Sequence, residues 1–194
     1  MRNASKTSDD ILACARSLIV TGGYNGFSYA DIAGVVGIRK ASIHHHFPAK
    51  ADLVRTLVSR YRDEAREGMA AIEIHRSDPV DQLRAYTGYW ESCITDASAP
   101  ICVCALLASE IPILPDEVVI EVRAHFHALS AWLAAVLERG ERTGQIDLVA
   151  PPPAEAELFM ATVHGAMLSA RAYDKPTIFG TALAPLLGRL IAQD

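Results

Sequence analysis

Apolar side chains return along this chain every three to four residues, the period of an α-helix with one buried face. Near the start, Ile11, Leu12, Ala15, Leu18 and Ile19 mark such a face over about residues 8–21. Ser8 is placed to cap this helix, Asp9 and Asp10 suit its positive end, and Gly22-Gly23 stops it. No stretch alternates apolar and polar residues at the two-residue period of a strand. The expected fold class is therefore all-α.

Punctuation by Gly, Pro and capping residues divides the remainder into eight further helices. Ser28 caps a short one over 29–36, and Gly37 ends it. A second short helix covers 39–46 until Pro48, and a long one runs from about residue 49 to 72. Asp78-Pro79 opens a helix to about residue 95, and Ser98-Ala-Pro100 opens another that Pro112 closes. Asp116 caps a long helix from 117 to about 143. After Pro151-Pro-Pro153 a helix spans about 154–173, and Pro176 starts the last, to about 192. Repeats, low-complexity tracts and long linkers are absent from the sequence.

The two short helices carry the sharpest pattern. A pair of helices crossing steeply over a short turn needs a small residue where the backbones approach, and Ala33 supplies it. The turn favours positive φ, which Gly37 adopts without steric cost. Ile32, Val36, Ile38 and Ile43 then form an apolar face that seats both helices on the first. These offsets describe a helix-turn-helix whose second helix enters the major groove. Its outward positions are Arg39, Lys40, Ser42, His44 and His45, donors suited to guanine N7/O6 or to phosphate. Ser28 at a helix N-terminus and Lys50 at the start of the next helix suit backbone phosphates.

Charge sharpens this reading. Residues 1–62 hold nine Lys and Arg against four acids, a net +5, whereas the rest carries nine against nineteen, a net −10. A basic head on an acidic body localises a polyanion site. The N-terminal ten residues lack the apolar core of a signal peptide, and no apolar run nears the roughly 20 residues of a membrane span. The expected location is the cytoplasm, with no membrane partner. Consecutive helical residues point about 100° apart, so His44, His45 and His46 do not converge on one ion, and no metal is expected.

Gly26-Phe-Ser28, Asp31-Ile-Ala33, Gly37, the run Ala41-Ser-Ile-His-His-His-Phe-Pro-Ala-Lys50, and Asp52-Leu53 together resemble the tetracycline-repressor (TetR) family. The specific motifs cover residues 8 to about 55; beyond them the likeness is one of length and helical plan. The resemblance implies a three-helix DNA-binding domain over 1–50 and a larger helical effector-binding and dimerisation domain over 51–194. It also implies a homodimer, double-stranded operator DNA as partner, and repression relieved by a small-molecule effector. Carried over by position, the DNA contacts are Ser28, Tyr29, Arg39, Lys40, Ser42, His44, His45 and Lys50. His44 stands where the family usually has Tyr, a departure that bears on that contact.

In the second half, the last two long helices are those that pair with their copies in this family. Small residues along 161–170, with Met160, Val163, Met167 and Leu168 around them, and the stripe Leu183, Leu186, Leu187, Leu190, Ile191 fit either that pairing or an internal core. Tyr86, Tyr89, Trp90, Phe126 and Trp132 are candidate walls of an effector pocket, with His125, His127 and His164 as polar anchors. Cys102 falls in the first turn of its expected helix, where the helix dipole lowers a thiol pKa, and Cys93 and Cys104 are its neighbours. A redox-sensing repressor built on these three thiols is the alternative to ligand release. Cysteine also packs as a small hydrophobe, which is how Cys14 reads. No Gly-rich phosphate loop, nucleophile elbow or metal-ligand spacing occurs, so neither an enzyme nor a cofactor is expected.

Overall fold

A computed structural model of the chain describes residues 4–97 and 101–191. Among them are nine α-helices: α1 (Ala4–Gly22), α2 (Tyr29–Val36), α3 (Lys40–His46), α4 (Lys50–His75), α5 (Pro79–Thr95), α6 (Val103–Ser109), α7 (Asp116–Arg142), α8 (Pro152–Ala172) and α9 (Thr177–Leu190). Single turns of 3₁₀ helix occupy Tyr24–Gly26 and Ile111–Ile113. The only extended pairing among the described residues is an isolated bridge between Ile146 and Ile191.

Several boundaries differ from the sequence expectation, each for a local reason. α1 begins at Ala4, so Ser8 lies inside the helix instead of capping it, and Thr7 is already buried. Asp116 is likewise within α7, whose first amides at Val118 and Val119 donate to the Pro115 carbonyl. α4 continues three residues past the expected end, to His75. α9 stops at Leu190 because Ile191 turns extended to meet Ile146, and the Asp147 amide donates to the Leu190 carbonyl. The expected helix start at Ser98–Pro100 lies outside the described residues. Cys102 directly precedes α6 and does not enter its first turn.

Packing divides the chain into two compact units that do not follow chain order. The first comprises Met1–Asp63 with Val103–His125, and the second Glu64–Cys102 with Phe126–Asp194. In the first, α1 packs against α2 and α6, and α2 packs against α3. Ile11, Ala15, Ile19, Ile32, Ile43, Leu53, Val54 and Val58 are fully buried there. α2 ends at Gly37, whose φ of 70° and ψ of 39° place it in the left-handed region. The Gly37 and Ile38 amides both donate to the Ala33 carbonyl, at 3.0 and 3.2 Å, which closes the helix and reverses the chain in one step.

In the second unit α9 packs on α8 and α5. Phe159, Val163 and Met167 of α8 are buried with Phe179, Leu183 and Leu190 of α9. The small-residue segment of α8 and the leucine stripe of α9 therefore serve, on these faces, as an internal core. Glu155 at the start of α8 is almost wholly buried and accepts from both Arg189 guanidinium nitrogens, at 3.1 and 2.6 Å, and from the Val149 and Ala150 amides. The Arg189 hydrogen bonds hold the Glu155 carboxyl below its ordinary pKa, against the opposite pull of burial.

A depressed carboxylate pKa contributes stability above the unfolded value and loses it as pH falls through the folded one. Arg189→Ala leaves a buried carboxylate short of its partner, and a loss of about 3 kcal/mol in urea unfolding at neutral pH is expected. The gap between variant and parent should close as the medium is acidified; a gap constant with pH would remove the carboxylate from the account.

Candidate functional site

A helix of seven residues does not persist unaided in water, because nucleation costs more than so few hydrogen bonds return. α3 must therefore be held by its neighbours. Ile43, fully buried, is its inward anchor, and Phe47, also buried, closes its C-terminus by donating its amide to the Ile43 carbonyl at 2.8 Å. Tyr29 at the start of α2 is buried, and its hydroxyl donates to the Phe47 carbonyl at 2.9 Å. Burial, with the negative charge of Asp52 next in weight, pushes the Tyr29 phenol up to about 12, so it stays a donor throughout the neutral range. Tyr29, expected at the DNA, instead ties the first turn of α2 to the end of α3.

Ser28 and Lys50 are also bonded to the scaffold, Ser28 from an exposed position and Lys50 from a half-buried one. The Ser28 hydroxyl donates to Asp31 Oδ2 at 2.8 Å and accepts from the Ala30 amide, while the Ser28 amide donates to the same carboxylate at 2.7 Å. This capping box satisfies the N-terminus of α2. The Ser28 hydrogen bonds lower the Asp31 pKa, so a fixed anion sits where a phosphate contact was expected. The Lys50 ammonium donates to the Phe27 carbonyl and lies 4.0 Å from the Phe27 ring centroid and 4.9 Å from that of Tyr24. Desolvation lowers its pKa, with Asp31 and Glu110 pulling the other way. It braces the start of α4 against the turn before α2.

Five of the eight expected contacts belong to α3 and its N-cap and remain on the outer edge of the motif. Arg39, Lys40, His44 and His45 are exposed, and Ser42 is half-buried one turn along from Arg39. Arg39 occupies the N-cap position of α3 and uses its side chain for no capping bond, so the guanidinium is not spent on the helix end. The His44 ring meets Tyr29 edge-on at 4.8 Å, with Nδ1 3.2 Å from the Pro48 carbonyl. That hydrogen bond selects the Nδ1–H tautomer and leaves Nε2 an acceptor in the neutral ring. His45 and His46 stack edge to face at 5.6 Å. Among the described residues, no group of three His, Cys, Asp or Glu side chains is arranged to hold a metal ion.

One residue that sequence reasoning passed over joins this motif to α6. Glu110 directly follows α6, and its Oε2 accepts from the Tyr24 amide at 2.7 Å. Gly23 has a φ of 74°, and a Cβ there would collide with the Glu110 carboxylate. Eighty-six residues separate the two partners in sequence, so no local pattern signals the bond.

In the second unit the expected pocket residues separate. Tyr86 and Trp90 are buried on α5, whereas Tyr89 between them is 54% exposed, because a helix turns it away from the face its neighbours share. Tyr86 packs 5.7 Å from Trp132 of α7 and 6.5 Å from Phe159 of α8. Phe126 and His164 meet at 5.3 Å. His125 does not join them: it belongs to the first unit, buried 5.4 Å from the Tyr61 ring. His127 is exposed. The Tyr86 hydroxyl, the indole N–H groups of Trp90 and Trp132, and His164 Nε2 are all buried without a hydrogen-bond partner. Each such group costs about 1–3 kcal/mol, so four in one unit call for an explanation. Burial, with the neighbouring Cys102 next in weight, raises the Tyr86 pKa and keeps the phenol protonated. All four cysteines carry thiols: Cys102 and Cys104 are fully buried, Cys93 is buried, and Cys14 is partly so.

An apolar-seated helix with a basic, hydrogen-bonding outer edge, set after a left-handed glycine turn, defines the helix-turn-helix class of DNA-binding regulators. The model of the bacterial regulatory proteins of the tetR family matches residues 11–57, and that of the tetracyclin repressor-like C-terminal domain matches residues 79–186. The chain belongs to the TetR family of transcriptional regulators. It is 63% identical to a TetR-family regulator of known structure from Agrobacterium tumefaciens, over 98% of this chain and 100% of that one, with a TM-score of 0.96. The reduced form of NemR from E. coli shares the fold at 18% identity, over 96% and 98% of the two chains, with a TM-score of 0.83. The HTH-type regulator CymR of Pseudomonas putida is 35% identical over 51 residues, 26% of this chain and a quarter of its own length. Among the described residues, no helix is long and apolar enough to cross a membrane.

Tyr29→Phe removes the donor to Phe47 and is expected to destabilise the protein by about 1–2 kcal/mol in denaturant unfolding. Gly23→Ala meets both the positive φ and the Glu110 carboxylate, and its loss should exceed that of Tyr29→Phe. Equal or greater stability in the Gly23 variant would show that the turn relaxes without Glu110.

Proposed function

We propose that the protein is a homodimeric repressor that grips double-stranded operator DNA with α3 and releases it when a small molecule enters the aromatic core of the second unit. The observation that carries this reading is the division of labour around α3. Ile43, Phe47 and Tyr29 secure the helix from within, which leaves Arg39, Lys40, Ser42, His44 and His45 for the groove. Arg39 and Lys40 stand at its N-terminal end, the end that reads base edges in this class. The role of the DNA-binding module falls to residues 1–50, which carry these groups, and that of sensing and pairing to 51–194. Such a regulator works beside the chromosome, in the cytoplasm.

A dimer has support from α8. Ala154, Leu158, Ala161, Gly165, Leu168 and Ala172 are all exposed on one face and recur at alternating steps of four and three. Leu158 and Leu168 are 49% and 51% exposed, and the small residues between them permit close approach of a second helix. Two copies would place two α3 helices on successive major grooves, about 34–36 Å apart.

Release has a covalent route. Cys102 ends a segment of the second unit, α6 follows immediately in the first, and Glu110 at the far end of α6 holds the Tyr24 amide. A ligand that moves Cys102 acts on the backbone that continues directly into α6, whose far end holds the turn before α2 through Glu110. Thiol sensing through Cys102, Cys93 or Cys104 has less behind it, since reactive thiols need access and these are buried.

Arg39→Ala and Lys40→Ala are each expected to weaken operator retention in a gel shift by about 1–3 kcal/mol. Unchanged affinity in both would withdraw α3 as the reading helix. Combined Leu158→Glu and Leu168→Glu should give a monomer by light scattering, with operator affinity reduced on the order of 100-fold. A doubly substituted protein that stays dimeric would move the interface away from this face.

A further inference from the structure

We infer that the effector is an uncharged aromatic or conjugated molecule bearing carbonyl-type oxygen acceptors, held by the Tyr86 hydroxyl and the Trp90 and Trp132 indole N–H groups. This rests on the proposal that the second unit is the sensing half; it names the ligand's chemistry from side chains that the fold leaves unsatisfied. Tyr86 is the hub. Its ring lies 5.7 Å from Trp132 and 6.5 Å from Phe159, the Trp90 indole N–H bears on its hydroxyl oxygen as a hydrogen-bond donor, and Cys102 is near enough to act on it electrostatically. All five residues belong to one unit.

The chemistry of the unmet groups is one-sided. An indole N–H donates and never accepts, and a phenol held protonated by burial is readily used as a donor. Neither indole nitrogen nor the Tyr86 oxygen has a protein partner in good hydrogen-bond geometry, the Trp90 N–H coming nearest to one at the Tyr86 oxygen, and all three are shielded from solvent. Native proteins seldom bury such donors without an acceptor to meet them. The aromatic walls of Tyr86, Trp132 and Phe159 favour a flat apolar body, and the donors favour oxygen acceptors on its edge.

Charge excludes the other large ligand classes. Among the described residues of the second unit, the one buried acid is Glu155, already occupied by Arg189, and no Lys or Arg is buried. A carboxylate or phosphate ester would enter with no cation to offset its desolvation. His164, buried with Nε2 unpartnered and its ring 5.3 Å from Phe126, is the one group able to offer a positive charge. An anion should therefore bind only if that imidazole carries it, which the test includes.

Three probes of one size separate these readings: 1-tetralone, neutral with a carbonyl; naphthalene, with no acceptor; and 1-naphthoate, an anion. Trp90 and Trp132 are the only tryptophans in the chain, so intrinsic fluorescence, alongside calorimetry, reports this cluster directly. Tetralone is expected to bind the intact dimer at least tenfold more tightly than naphthalene, with naphthoate weaker than both at neutral pH. Tyr86→Phe, Trp90→Phe and Trp132→Phe keep a ring and remove a donor, and at least two of them should bring tetralone down toward naphthalene. Their operator affinity without ligand should match the parent, which also reports that the variants fold.

Naphthoate binding as well as tetralone, tetralone binding unaltered by all three substitutions, or no binding by any probe would each overturn the inference, the last assigning the unmet donors to water. Tetralone that binds as expected yet leaves operator retention unchanged would leave the ligand chemistry standing. It would then be the effector-release reading that fails.

Discussion

The whole DNA-binding face depends on immobilising one helix of seven residues. α3 has too few hydrogen bonds to form by itself, and its outer edge is polar, so its order is borrowed from the layer beneath. Ile43 supplies the apolar anchor, and the buried bond from the Tyr29 hydroxyl to the Phe47 carbonyl fixes where the helix ends. Around that bond the other groups of the frame fall into place. The Ser28–Asp31 capping box starts α2, Gly37 turns the chain into α3, and Lys50 clamps the start of α4 to the Phe27 carbonyl. Polar groups that look from sequence like ligand contacts are consumed in holding the frame still.

This consumption explains how the motif can present cations without losing definition. A long Arg or Lys side chain gives up rotamer freedom whenever it is held, so a site that must meet phosphate and base edges keeps only a few such groups outward. Glu110 extends the same frame to α6, with its carboxylate against Gly23 and its oxygen on the Tyr24 amide. The second unit shows the opposite economy. There the acid Glu155 is fully used, while Tyr86, Trp90, Trp132 and His164 keep buried hydrogen-bonding capacity unspent.

The helical plan was largely readable because amphipathic spacing and breakers are local. Pro79, Gly37 and Pro151–Pro153 mark ends that the chain respects within a residue or two. Errors arose where a local signal lost to packing: Ser8 looks like a cap but lies within α1, and Asp116 like a cap but lies within α7. The candidate pocket shows the same limit in another form. Tyr86, Tyr89 and Trp90 look alike as a triad of aromatic residues, and only the helix phase turns Tyr89 outward. His125 and Phe126 are adjacent in the chain yet fall in different units.

By itself the sequence determined that the protein is all-helical, that residues 28–50 form a helix-turn-helix, and that its family is TetR, because capping, glycine turns and helical periodicity act over a few residues. Tertiary structure decided which of the named side chains face outward. Tyr29 and Lys50 were drawn into the frame by the Phe47 and Phe27 carbonyls, eighteen and twenty-three residues away, while Ser28 stays exposed and is engaged by Asp31 and the Ala30 amide. It also decided that Glu110 meets Tyr24 and that four buried polar groups of the second unit stay unmet, since those outcomes depend on helices brought together across the length of the chain.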